Sequence, residues 1–192
     1  RQRSTSVINR EARRLTQLVE KILQFSRLER AAVDLKVEPL DVAQTIAEVF
    51  EGFKPLAAAR KVKLKVAVSE GLIVRADRDA VSQLLLNLLD NAVKYGPEGQ
   101  TVTVTGTQVG SAMQLAVTDE GPGIPSNDRA RIWEPYHRLE RDVNGTVTGS
   151  GIGLSVVAEL AAMHGGSSWI ESAQAGGAKF VVELPGASIE RS

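Results

Sequence analysis

The segment VSQLLLNLLDNAVKY constrains the fold more than any other part of the 192-residue chain. Its leucines make a helix over about residues 78–95 apolar enough to belong to a core. Along one side of that helix, however, Asn87, Asn91 and Lys94 recur at i, i+4 and i+7 and stand in a row. Asparagine is a poor helix former, and a buried amide without partners costs about 1–3 kcal/mol. Such a helix needs an apolar layer beneath it and something polar opposite the row.

Segments of period two supply the layer. VKLKVAV (62–68) and LIVR (72–75) alternate or cluster like strands, and TVTVTGTQV (101–109) and MQLAVTD (113–119) read as a hairpin joined through Gly110 and Ser111. SSWIES (167–172) and KFVVELP (179–185) flank the turn QAGGA. Further helices are predicted over about 41–59 and 153–164, and a glycine- and proline-rich stretch of about 120–150 has neither period. This order predicts an α+β chain, an α/β sandwich in which a mixed sheet is covered on one face by helices. No internal repeat interrupts it.

One long bundle helix is expected to precede that domain. Over residues 4–30, Ile8, Leu15, Leu18, Ile22 and Phe25 follow a three-four alternation thickened by Val19 and Leu23. One helix cannot bury this stripe alone, so it either packs on its own domain or joins a helical bundle completed by missing segments or a second copy. The segment AAVDLKVEPLD changes character, which places a boundary near residues 31–34 and divides the chain into 1–32 and 33–192.

Lysine plus arginine number 23, as do aspartate plus glutamate, so no global field argues for nucleic acid or an anionic membrane surface. Any anion must be held locally. The absence of cysteine excludes disulfides and thiolate chemistry and fits a reducing compartment. No run approaches 18 apolar residues and the start RQRSTSVINREARR is no signal peptide, so the chain carries no secretion or membrane signal of its own.

Three segments carry chemistry. Asn87 and Asn91 offer amide oxygens and Lys94 a cation, a set that suits magnesium with phosphate beside it, although surface or capping amides would look the same. In VTDEGPGIP, Asp119 ends a predicted strand and Gly121 and Gly123 follow, either a plain turn or a carboxylate placed to accept from the amine of a flat heterocycle. In TGSGIGLSVVAEL, Gly149, Gly151 and Gly153 precede an apolar helix and expose amide donors at its positive end, a phosphate site. The spacing G-x-G-x-G after a loop does not fit a dinucleotide-binding turn.

Together, in this order, the segments resemble the nucleotide-binding boxes of the GHKL ATPase superfamily, with its Bergerat ATP-binding fold. NLLDNAVKY resembles the N box, DEGPGIP the first glycine box and TGSGIGLS the second. RIWEPYHRLER resembles the F box of sensor histidine kinases, with Trp133, Glu134, Pro135 and Tyr136 at its core. REARRLTQLVEKILQFSRLER is similar to the second helix of their dimerisation domain, so the resemblance covers nearly the whole chain.

The resemblance implies ATP and Mg2+ as ligands: Asn91 on the metal, Asn87 supporting metal or phosphate, Lys94 on phosphate and Tyr95 beside the nucleotide. It implies Asp119 as acceptor for the adenine amine, Gly121, Gly123 and Ile124 beside the base, and Gly149, Ser150, Gly151, Ile152, Gly153 and Leu154 around the phosphates. Residues of about 124–148 would form a lid, mobile without nucleotide, with Trp133 and Tyr136 either anchoring one end or completing a small satellite core.

Chaperone, gyrase and mismatch-repair members place a glutamate base one turn before the magnesium asparagine; here that position is Asn87, which cannot act as a base near neutral pH. This favours phosphoryl transfer over hydrolysis. The acceptor histidine of such kinases lies on a first bundle helix, whereas His137 falls in the lid, expected solvated, and His164 at a helix end, expected to cap carbonyls. The chain is thus expected to be a fragment lacking its acceptor. The resemblance implies a homodimer through the bundle, a response regulator receiver domain as partner, a cytoplasmic location and membrane contact only through absent segments. A nucleotide-binding pseudokinase, an anti-sigma-type serine kinase and a structural interaction domain with vestigial boxes are the alternatives.

Overall fold

The computed structural model describes residues 35–139, 151–173 and 176–189. The long helix expected over 4–30, Gly149 and Ser150, and the 140–148 part of the expected lid lie outside the described residues. From Lys36 onward the described residues belong to one compact unit.

The chain enters through strand β1 (Glu38–Asp41) and turns directly into helix α1 (Val42–Ala59), whose N-terminus is closed by Asp41 accepting from the Gln44 amide. Strands β2 (Lys63–Val68) and β3 (Leu72–Ala76) lead to α2 (Arg78–Tyr95), capped in the same way by Asp77 accepting from the Ala80 amide. The hairpin β4 (Thr101–Val109) and β5 (Ala112–Thr118) turns over Gly110, at φ +61°. A short 3-10 turn at Arg131–Trp133, helix α3 (Gly153–Met163), and strands β6 (Ser167–Ser172), β7 (Ala178–Pro185) and β8 (Ala187–Ile189) complete the described chain.

Five strands pair in the order β2-β4-β5-β7-β6, parallel between β2 and β4 and antiparallel elsewhere, which makes the expected mixed sheet. The sequence did not announce the second ladder, β1-β3-β8, antiparallel throughout. Its outer strand holds Pro39, which is tolerated there because an edge strand leaves one row of amides unpaired.

Along β4, Val102, Val104 and Gly106 are buried while Thr101, Thr103 and Thr105 are only half-buried, so one face of the sheet is covered. The cover is helical, and its centre is the leucine cluster of α2: Leu85, Leu88 and Leu89 have no exposed surface. Fully burying each such side chain contributes about 1.5–3 kcal/mol.

The mutual direction of α2 and α3 follows from one contact. The Asp77 amide, at the start of α2, donates to Nε2 of His164, at the end of α3, at 3.1 Å. The two helices also pack closely together, which is possible from such a contact only if α3 runs back along α2. With a rise of about 1.5 Å per residue, the start of α3 comes level with the Asn87 turn of α2.

Candidate functional site

Two of the expected segments meet at the C-terminal end of α2, where the Gly121 turn lies against Tyr95 and Gly96, and the third opens α3, which packs on α2. The row Asn87, Asn91, Lys94 lies on a continuous helix, half-buried throughout, flanked by the fully buried Leu88, Leu89 and Ala92. Asn87 Oδ1 accepts from Gln83 at 3.2 Å, while Nδ2 is buried without a partner. An orphan of this kind costs about 1–3 kcal/mol when it stays unpaired. Turning the terminal amide by half a revolution presents an oxygen to a cation instead of an N–H to a phosphate oxygen. Among the described residues no three of His, Cys, Asp or Glu converge as a metal cage. Amide oxygens are a donor type that magnesium accepts, since it takes most of its shell from water and phosphate.

Lys94 forms an ion pair with Asp90 at 2.5 Å, both side chains 41% exposed. An exposed pair at i, i+4 contributes only about 0.3–0.5 kcal/mol, so the ammonium can exchange this partner for a phosphate at little cost.

Asp119 is 8% exposed at the end of β5. Its Oδ1 accepts from the amides of Gly121 at 2.8 Å and Ala178 at 3.1 Å, which fixes the carboxylate between the turn and β7. A Cβ at Gly121 would stand 2.9 Å from that oxygen and 3.5 Å from the Tyr95 carbonyl, so the turn lies directly on the end of α2. Gly123 has φ +66°, and a Cβ there would come within 2.9 Å of the Gly176 carbonyl. Both reasons for glycine apply at once. Ile124 is half-buried next to it.

The third segment differs from the other helix starts. Where α1 and α2 begin on aspartate caps, α3 begins on Ile152, whose side chain caps nothing. The first-turn amides of Gly153, Leu154 and Ser155 therefore face outward at the positive end of the helix. Gly151, at φ +72°, leads into it, and its carbonyl accepts from the Tyr136 amide at 2.9 Å. Tyr136 itself has φ +66°. Through this bond the WEPY run holds the entrance to α3. Trp133 meets Phe180 of β7 edge-on, with ring centroids 6.2 Å apart, and so fastens the same run to the sheet. Tyr136, at 54% exposed, completes no satellite core.

His137, expected solvated, is instead 12% exposed, with Asp128 Oδ1 3.8 Å from its buried Nε2. The His137 amide donates to the Glu134 carbonyl at 3.3 Å, and a Cβ on Gly151 would stand 3.1 Å from the His137 carbonyl oxygen. His164 caps α3 as expected, Nδ1 standing 2.7 Å from the Leu160 carbonyl, and its Nε2 accepts from the Asp77 amide.

Two residues at the site carried no signal in the sequence. Gly177 belonged to a supposed simple turn, yet a Cβ there would fall 1.9 Å from the Asp119 carbonyl oxygen. Gln100, in the linker PEGQ, is 2% exposed and bonded at both ends of its amide. Both act through contacts distant in sequence, which local pattern does not encode.

The profile of the family "Histidine kinase-, DNA gyrase B-, and HSP90-like ATPase" matches residues 76–188. The chain is 33% identical over 177 residues to the adaptive-response sensory kinase SasA of Nostoc sp., covering 91% of this chain and 44% of that protein. It therefore spans less than half the length of that relative. Full-length ShkA, crystallised in complex with AMPPNP, superposes with a TM-score of 0.76 at 31% identity, covering 94% of this chain and 37% of that one. Histidine kinase ThkA, crystallised in complex with the response regulator protein TrrA, gives 0.73 at 25% identity, covering 94% and 49%.

Proposed function

Because the chain belongs to the histidine kinase-, DNA gyrase B- and HSP90-like ATPase family, in the form found in sensor histidine kinases, we propose that it binds Mg-ATP and donates the γ-phosphoryl group to a histidine. The observation that carries this is the unpartnered Asn87 amide on α2, a helix that packs against α3, whose N-terminus has no side-chain cap of its own. A polar orphan and uncapped helix amides together suit an anion with a cation on it.

In this reading Asn91 and Asn87 hold the magnesium, and Lys94 leaves Asp90 to neutralise phosphate. The amides of Gly153, Leu154 and Ser155 take phosphate oxygens, with Gly151 and Ile152 leading into them. Asp119 accepts from the adenine amine beside Tyr95, Gly121, Gly123 and Ile124. Magnesium, when bound, neutralises charge developing on the transferring group. In the transfer the bond between the γ-phosphorus and the β,γ-bridging oxygen breaks, a nitrogen–phosphorus bond forms on the acceptor imidazole, and ADP leaves. Asn87 supplies no base to activate water, so transfer prevails over hydrolysis.

His164 is committed at both ring nitrogens and His137 is enclosed, so neither serves as acceptor. The acceptor belongs to a separate helix, and a response regulator receives the group next, the partner kind crystallised with ThkA. Among the described residues no helix is long and apolar enough to cross a membrane. Incubation with γ-labelled ATP and magnesium, with and without a helical segment bearing an acceptor histidine, tests the reading. Label is expected on the added segment alone and is lost with Asn91→Ala; label on the chain itself, or none anywhere, contradicts it.

A further inference from the structure

Gln100 adds a hydrogen-bonded link between two parts of the site that also touch where the Gly121 turn lies on the end of α2. Its side chain is one of three buried polar or charged ones among the described residues, with Thr45 and Asp119. Nε2 donates to the Ala92 carbonyl at 2.7 Å, and Oε1 accepts from the Glu120 amide at 3.1 Å. Ala92 directly follows Asn91, and Glu120 directly follows Asp119. One amide group thus spans from the residue after the candidate metal-holding asparagine to the residue after the candidate adenine-reading carboxylate.

The surroundings are arranged around this link. The Glu120 carboxylate returns to the Thr101 amide at 3.2 Å, and the Gln100 carbonyl accepts from the Lys63 amide at 2.8 Å. The linker end is therefore fixed to the sheet while its side chain reaches the helix. Gly96, the C-cap of α2, leaves room for the amide: a Cβ there would stand 2.0 Å from Gln100 Nε2. Gly96 has φ −85°, open to any residue, so its lack of a side chain is explained by Gln100 and not by backbone conformation.

We propose that Gln100 is a positioning residue that sets the register between the adenine-reading and the metal- and phosphate-holding halves of the site. This rests on the functional reading above. Neither half depends on Gln100 internally, since Asp119 is held by Gly121 and Ala178, and Asn91 by its place in α2. Removing the link leaves each half intact and disturbs only their separation. A ligand touching one half is then spared, whereas a ligand spanning both loses the advantage of a matched geometry.

The test compares adenosine with Mg-bound imido-ATP, by calorimetric or NMR titration of the whole chain carrying Gln100→Leu. The variant is expected to weaken imido-ATP about fivefold to tenfold, the size of one or two neutral hydrogen bonds, and adenosine less than about twofold. Equal losses for both ligands, or no loss for either, overturn the proposal. Gly96→Ala provides the second arm, because its methyl expels the Gln100 amide: the same selective loss is expected, with no further loss when Gln100→Leu is added. Additive effects overturn it. If the unaltered chain binds no imido-ATP, the functional reading fails too; binding with an unchanged ligand ratio in the variants sinks the role of Gln100 alone.

Discussion

Replacing Gly177 by alanine adds one methyl where the chain has no space. The new Cβ would lie 1.9 Å from the Asp119 carbonyl oxygen, 2.7 Å from its carbon and 3.0 Å from Oδ1. Because the first two are backbone atoms, no rotamer change relieves the overlap and β5 and β7 must separate locally. That separation stretches the bond from the Asp119 amide to the Ala178 carbonyl, 3.0 Å, and that from the Ala178 amide to Asp119 Oδ1, 3.1 Å. Overpacking costs about 1–3 kcal/mol, and weakening one neutral and one charged hydrogen bond brings the expected loss to about 3–5 kcal/mol. Gly176→Ala is the internal control: it meets nothing within 4 Å but has φ +93°. Its cost is conformational alone, about 1–2 kcal/mol. Urea unfolding of both variants measures the difference, and nucleotide titration reads the displaced carboxylate. If Gly177→Ala is no more destabilising than Gly176→Ala, or binds adenine nucleotides normally, the contact between this turn and Asp119 has been misjudged.

Three further outcomes are expected. Asp119→Asn keeps an acceptor oxygen but loses the charge, and should weaken adenine nucleotides about 10- to 100-fold in a binding titration, the worth of a charged hydrogen bond. Gly151→Ala forces a side chain into φ +72° and places its Cβ 3.1 Å from the Tyr136 backbone. It should cost about 1–2 kcal/mol in urea unfolding and weaken ATP more than adenosine. Glu171 is held below the usual carboxylate range by its hydrogen bond to Lys179, with a second from Trp169. A lowered folded-state value contributes stability that is present above the unfolded-state pKa and lost as pH falls through the folded one. Because both partners of the pair are more than a third exposed, that contribution stays below about 1 kcal/mol. Carbon NMR of the Glu171 carboxyl should show its titration move upward in Lys179→Met.

The sequence was most legible where one local period persisted. The leucines of α2 and the alternation of β4 and β5 each bury one face, and the predicted spans differ from the observed ones by a residue or so. β1 and β8 escaped because four and three residues hold no period, and each borrows its stability from β3. At the site, residues announced by glycine spacing or helical repetition could be read, while Gln100 and Gly177 could not. Gln100 looks like any polar linker residue until Ala92 and Glu120 are brought to it. The burial of His137 was hidden for the same reason, since local sequence does not show that Asp128 and Gly151 come near it.

We propose that the α2 row, the Asp119 turn and the start of α3 form one nucleotide site. The most direct measurement is titration of the chain with imido-ATP, with and without magnesium, for the unaltered protein and for Asn91→Ala. Binding that magnesium strengthens in the unaltered chain but not in Asn91→Ala is the predicted result. Binding that ignores magnesium and the Asn91 change alike, or no binding at all, would mean that these three segments do not form a magnesium-nucleotide site.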